Sequence, residues 1–229
     1  TMYLIEGEDK AVLIDTGTRC ADLDKIVGQI TGKPLEVIVT HMHPDHAGCI
    51  KYFDKVWMHR ADTVLVPQHA ADYQGEFLYM EEGQVFDLGG RKLEVAWMPG
   101  HTPGSVVLLD KANGDCYSGD AFGSGEVWLQ CVPMSPIATF HESCCRMEKL
   151  MKEGHIKDIW CGHYPYLKSS LPLAYIQTMI RISHRLMNGD QEGSEPYSNY
   201  FIKMPPTARK LAEGRAMIVY DSTNIPEAR

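Results

Sequence analysis

His41, His43, Asp45 and His46 carry the first chemical signal in this sequence, in the run Thr40-His41-Met42-His43-Pro44-Asp45-His46-Ala47-Gly48. Imidazole nitrogens and carboxylate oxygens are ligands that divalent transition ions take. With 10 His and 15 Asp in 229 residues, this spacing arises by chance with a probability on the order of one in a thousand. Alternate residues on an extended loop project to the same side. His41 and His43 can therefore share one ion, while Asp45 and His46 turn toward a second one beside it. A lone loop histidine is by default solvated or hydrogen-bonded; three of them with an aspartate at this spacing overturn that default.

Two imidazoles do not complete a site, since zinc takes about four ligands and a dinuclear pair needs a bridging group. Three further candidates lie downstream. His101 sits in Pro99-Gly100-His101-Thr102-Pro103-Gly104-Ser105, bracketed by turn formers, while Asp120 follows Ser118-Gly119 and His163 follows Cys161-Gly162. Each is a weak signal alone. Together with the first loop they place five histidines and two aspartates at or near predicted strand-to-loop junctions. His59, His69, His141, His155 and His184 fit no ligand motif and default to surface or helix roles.

The elements that must position these groups follow from hydrophobic periodicity. Short strands are predicted over 2–6 and 11–14, a helix over 21–30 with apolar residues at Leu23, Ile26, Val27 and Ile30, and an apolar strand over 35–39 that runs straight into the histidine loop. Pro44 suits a first helical turn. A strand over 56–58 and a short helix over 60–66 come next, and residues 67–83 read as a polar surface excursion. Strands over 84–87, 92–98, 105–109 and 115–118 are separated by glycine- and proline-bearing turns. Long helices over 135–153 and 172–187 flank a strand over 156–160, and a last strand spans 216–220. No internal repeat or low-complexity segment is visible, so residues 1–229 are expected to form one domain.

Composition narrows the function classes. The hydrophobic fraction of 44% and charged fraction of 23% are those of a globular chain. Thirty acidic against 22 basic side chains give a formal charge of −8, the wrong sign for a phosphate-neutralising surface, so nucleic acid is not an expected partner. No apolar run reaches the roughly 20 residues of a membrane helix, so no membrane partner is expected either. The seven cysteines contain no CxxC pair; free thiols and a cytoplasmic location are the expectation, although the chain opens at Thr1 directly into strand-like sequence, as though a segment had preceded it.

The HxHxDH loop, the later Gly-His-Thr-Pro-Gly-Ser histidine, the aspartate after glycine and the late Gly-His resemble the metallo-β-lactamase superfamily, in that family's order, from Asp15 to His163. The resemblance implies an α+β fold: an αββα sandwich of two facing mixed sheets with outer helices and the metals at one edge. It implies that His41, His43 and His101 bind a first metal, that Asp45, His46 and His163 bind a second, and that Asp120 bridges both. Asp45 and Asp120 are then the catalytic carboxylates, Asp45 as a proton shuttle as well as a ligand. Two divalent ions, with zinc expected and iron or manganese as alternatives, would lower the pKa of a shared water from roughly 15.7 toward neutrality. Asp15, in Asp15-Thr16-Gly17, would orient ligand imidazoles from behind or simply cap its turn.

Departures from neighbouring patterns point within the superfamily. An aspartate at 120 argues against the class B β-lactamases, and His43 with this chain length argues against flavodiiron proteins. The segment from Asn188 is short and sparsely basic, unlike the helical glutathione grip of glyoxalase II enzymes. The expected activity is hydrolysis of an ester, thioester or lactone. The alternatives are a mononuclear non-haem iron enzyme of the persulfide dioxygenase kind, using His41, His101 and Asp120, and a phosphodiesterase-type member. For the substrate pocket the candidates are Phe122 and Trp128, in the loop over 121–136, with Tyr164 and Tyr166 after the last metal histidine; these aromatics equally suit a core or a homodimer surface.

Overall fold

The structure is a computed structural model that describes residues 1–200 and 202–226. β1 (Tyr3–Glu6) and β2 (Ala11–Ile14) form an antiparallel hairpin. After helix α1 (Leu23–Ile30) the chain returns as β3 (Leu35–Ile38), parallel to β2. The one-turn helix α2 (Pro44–Ala47) precedes β4 (Lys55–His59), and α3 (Val66–His69) precedes β5 (Glu76–Met80). These strands make a five-stranded mixed sheet in sequence order. The second five-stranded sheet holds β6 (Val85–Asp87), β7 (Lys92–Trp97), β8 (Val106–Asp110), β9 (Asp115–Gly119) and β11 (Asp158–Cys161), ordered β11-β9-β8-β7-β6. Only its β9–β11 pair is parallel.

Strand periodicity of two sorts the apolar side chains onto three layers. Val12, Ile14 and Ile38 of the first sheet meet Leu93, Val95, Val106 and Leu108 of the second to form the core between the sheets. The intervening Leu13 and Val37 face outward and are covered by Leu23 and Val27 of α1. On the far side Val107, Leu109 and Cys116 are covered by Phe140 and Met147 of α4 (Ile137–Lys152) and by Ile176 and Met179 of α6 (Leu173–Met187). Each fully buried Val, Ile or Leu stabilises the fold by roughly 1.5–3 kcal/mol before entropy is counted. The result is the αββα sandwich expected from the resemblance.

Two regions depart from the predicted elements. Residues 76–80, placed in a polar excursion, form β5, an edge strand parallel to β4; Phe77, Leu78, Tyr79 and Met80 lie between Gly75 and Gly83, and the polar residues before them mask the short apolar run. The loop over 121–136 contributes β10 (Glu126–Trp128), which joins β14 (Ala216–Asp221), β13 (Ala208–Glu213) and β12 (Glu195–Pro196) in a third, four-stranded sheet. β10 pairs in parallel with a strand about ninety residues later, a partnership with no local signal. β13 and β14 turn tightly at Gly214 and Arg215, where Gly214 adopts φ +61°.

Among the described residues no helix is long and apolar enough to cross a membrane. All seven cysteines are free thiols.

Candidate metal centre

The ends of β2, β3, β7, β9 and β11 point to one edge of the sandwich, and the ligand candidates follow them. Because β2 and β3 are parallel neighbours, Asp15 and Thr40 emerge side by side. Asp15, in the left-handed region at φ +61°, accepts the Thr40 backbone N–H at 2.7 Å and the Thr40 hydroxyl at 3.1 Å. Its Oδ2 lies 2.7 Å from His46 Nδ1, which leaves His46 Nε2 aimed at the centre. The Thr40 hydroxyl is also 3.1 Å from His41 Nδ1, and His101 Nδ1 meets the Trp128 carbonyl at 2.8 Å. In each case the outer nitrogen is engaged and Nε2 is turned inward, the arrangement that fixes a ligand imidazole.

The inward atoms fall into two groups, His41, His43 and His101 in one and Asp45, His46, Asp120 and His163 in the other, with ligand atoms in each within 4.8 Å of one another. Asp120 Oδ2 is 3.0 Å from His163 Nε2 and 3.5 Å from His46 Nε2; Asp45 Oδ2 is 3.2 Å and 3.6 Å from the same two nitrogens. Ion–ligand bonds of about 2.0–2.2 Å in a tetrahedron place ligand atoms roughly 3.3–3.6 Å apart, so the second group has the spacing an ion requires. His41 Nε2, His46 Nε2 and Asp120 Oδ1 are buried without a hydrogen-bond partner. Buried polar atoms are nearly always paired, and three orphans shared between two groups of potential ligand atoms fit bound cations. Gly162 makes room for them: a Cβ there would stand 2.4 Å from Asp120 Oδ1 and 2.5 Å from His46 Cε1. Gly119, at φ +49°, would place a Cβ 2.1 Å from Thr40 Oγ1.

The two groups differ electrostatically. Burial, reinforced by the neighbouring imidazoles, lowers the pKa of His41 well below its usual value and that of His43 to about 3; burial also lowers His101. These three are neutral and ready to ligate at pH 7. In the second group hydrogen bonds to Asp120 and Asp45 raise His163 to about 9. Burial opposes charge on His46, but the carboxylates of Asp120 and Asp15 outweigh it and raise its pKa. Burial likewise opposes the Asp120 and Asp45 charges, and is outweighed by His46 and His163, so Asp120 lies well below the carboxylate range and Asp45 at about 2. Both second-group histidines thus carry protons at neutral pH that an ion must displace. Uptake by this group is expected to strengthen roughly tenfold per pH unit for each proton released, up to about pH 9, while uptake by the first group stays flat. Metal titration with proton-release measurement from pH 6 to 9 checks this; equal pH dependence at both groups would contradict it.

Asp62 is a contributor the sequence did not flag. Wholly buried, it accepts the Met42 backbone N–H at 2.9 Å, the Thr102 hydroxyl at 2.9 Å and the Gly104 backbone N–H at 2.6 Å. Met42 lies between His41 and His43, and Thr102 follows His101. One carboxylate therefore ties together the two loops that hold the whole first group. Nothing distinguishes Asp62 in sequence from a polar residue in a short helical turn; its donors lie 20, 40 and 42 positions away.

Of the four aromatic pocket candidates the structure rules out one. Phe122 is fully buried in the core under α4 and α6 and its ring cannot meet a substrate. Trp128 serves the centre through its carbonyl, while its indole N–H donates to Glu126 and its ring lies against Tyr197. Tyr164, which opens the one-turn helix α5 (Tyr164–Leu167), packs on Trp160. Tyr166 places its ring against the centre: 78% exposed, it stacks on His163 with ring centroids 5.8 Å apart. His69, assigned a surface or helix role by default, ends α3 beside the first group, its ring 5.8 Å from that of His43.

Seven side chains that could ligate metal lie in two adjoining groups at one edge of an αββα sandwich. A family model described as the metallo-beta-lactamase superfamily matches residues 1–141, and the chain belongs to that superfamily. Acyl-coenzyme A thioesterase MBLAC2 of Homo sapiens is 26% identical over 202 residues, covering 71% of this chain and 72% of that protein. Hydroxyacylglutathione hydrolase of Aeromonas salmonicida is 27% identical over 179 residues, covering 76% of this chain and 64% of that one. Among solved structures, TTHA1623 in a di-iron-bound form matches with a TM-score of 0.60 at 27% identity, covering 76% of this chain and 89% of that one. ETHE1 from Myxococcus xanthus matches in fold, with a TM-score of 0.53 at 20% identity over 81% of this chain and 85% of that one.

Proposed function

We propose that this chain hydrolyses acyl thioesters of small-molecule thiols at a dinuclear centre, with zinc as the expected metal. The observation that carries this is the second ligand group. A mononuclear iron oxygenase built on His41, His101 and Asp120 would leave Asp45, His46 and His163 idle, with two acids and two histidines crowded at 3.0–3.6 Å. The two relatives add the substrate class, since one is named a thioesterase and the other a hydrolase of an acylated thiol.

Divalent ions at such a centre supply Lewis acidity at a carbonyl oxygen and lower the pKa of water toward neutrality. The chain's own residues do the rest. His41, His43 and His101 would hold one ion and Asp45, His46 and His163 the other, with Asp120 between them. Asp15 and Asp62 keep the imidazoles in register from behind. Asp45 is the more accessible of the two catalytic carboxylates, its side chain 43% exposed against 14% for Asp120; it touches the ligand cluster on one side and solvent on the other. It is thereby the group placed to carry a proton between the site and bulk water. Tyr166 gives the His163 side an apolar wall.

Purified protein assayed for metal content and against esters, thioesters, lactones and phosphodiesters tests the proposal. About two ions per chain with thioesters turned over fastest is the expected result; a phosphodiester preference would overturn it.

A further inference from the structure

His69 ends α3 and is held from both sides by the fold. The Ala70 backbone N–H donates to the Val66 carbonyl at 2.8 Å and that of Tyr73 to the Ala70 carbonyl at 3.1 Å, and Leu65 and Ala70 are buried in the outer core of the first sheet. The side chain is half-buried. Its ring stands edge-on to His43 at 90°, outside both ligand groups. Among the described residues neither of its nitrogens makes a hydrogen bond, although His41, His46, His101 and His163 each engage a neighbour in or beside the site. A half-exposed imidazole beside the candidate metal centre, on a backbone anchored by its neighbours and with its polar atoms unspent, is placed to meet something that enters from solvent.

Resting on the thioester assignment above, we propose that His69 is a specificity-determining residue that hydrogen-bonds the amide group of the substrate's thiol portion. An aliphatic acyl chain offers an imidazole nothing to pair with. Coenzyme A and glutathione, in contrast, both carry an amide nitrogen two carbons from the sulfur, so a thioester of either brings an amide a short way beyond the reacting carbonyl. With that carbonyl held over the first ligand group, an amide on the His43 side comes within reach of His69. The residue touches neither reacting atom and moves no proton; it orients the leaving-thiol arm, as a neutral donor or acceptor.

The test compares the holoenzyme with its His69→Ala and His69→Gln variants on one acyl group carried by coenzyme A, by glutathione and by ethanethiol, which has no amide. His69→Ala is expected to lower the ratio of kcat/KM for an amide-bearing substrate to that for the ethanethiol ester by roughly threefold to tenfold, mainly through KM. His69→Gln, which keeps a hydrogen-bonding side chain, should recover part of that ratio, and metal content should equal that of the parent. Loss of the ratio with only one of the two amide thiols identifies which thiol the site was built for. An unchanged ratio, or a drop in bound metal that makes His69 a ligand, overturns the proposal. Should the parent enzyme cleave none of the three thioesters, the thioester assignment fails first and this inference falls with it, a result visible before any variant is compared.

Discussion

Asp120→Ala is expected to lower turnover by on the order of a thousandfold or more, and to reduce bound metal from about two ions per chain to about one. Asp120 Oδ2 approaches His163 at 3.0 Å and His46 at 3.5 Å, while Oδ1 is buried and unpaired. In the proposed dinuclear centre its removal takes a ligand from the second group, and with it the carboxylate that would bridge to the first. It also withdraws the carboxylate that contributes most to keeping His163 charged in the metal-free chain. The loss is expected to fall on kcat rather than KM, because the side chain acts on the reacting centre and not on the arms of the substrate. Metal analysis beside steady-state kinetics checks both halves. Full turnover with one ion removed would refute the bridging role.

Asp62 should produce the second-largest effect by a different route. Asp62→Ala leaves the Met42 N–H, the Gly104 N–H and the Thr102 hydroxyl without their shared acceptor in a buried place. Three lost charge-assisted bonds with stranded donors amount to a stability loss on the order of 3–5 kcal/mol. Asp62→Asn keeps the shape, but whichever way the amide is turned one backbone N–H faces an NH2. It is expected to fold and to bind the first-group ion about 10- to 100-fold more weakly, leaving the second group close to its parent affinity. Denaturant unfolding of the metal-free Ala variant and competitive chelation of the Asn variant separate the two effects. Equal weakening at both groups would show Asp62 to be a general stabiliser and not a support for the first group.

The candidate ligand set that the structure brings together was readable because its chemistry is local in sequence. His41 to His46 lie in one loop, and His101, Asp120 and His163 each follow a short strand signal ending in a turn former. The sandwich itself was not readable from periodicity: alternation in β2 and β8 tells which side chains share a face, but that the faces of Val12 and Val106 meet across two sheets came only from the family resemblance. The supports were the least visible. Asp15 was marked by its motif, whereas Asp62 is defined by donors far along the chain. Phe122, one of the four pocket candidates, fails for a related reason. Proximity in sequence to a ligand, as with Phe122 after Asp120, does not set the direction of a side chain, and Phe122 turns inward where β9 passes under α4 and α6. Tyr166 was placed by the same reasoning and does reach the centre, because α5 leaves His163 toward solvent.

In the proposed mechanism both ligand groups are filled and act together on a thioester. Stepwise chelation of the purified enzyme, with bound metal and thioester turnover measured on the same samples, decides whether they do. About two ions per chain at full activity, with turnover collapsing as the first ion leaves, is the predicted result. One iron per chain at full activity, or turnover that survives emptying of the second group, would contradict it.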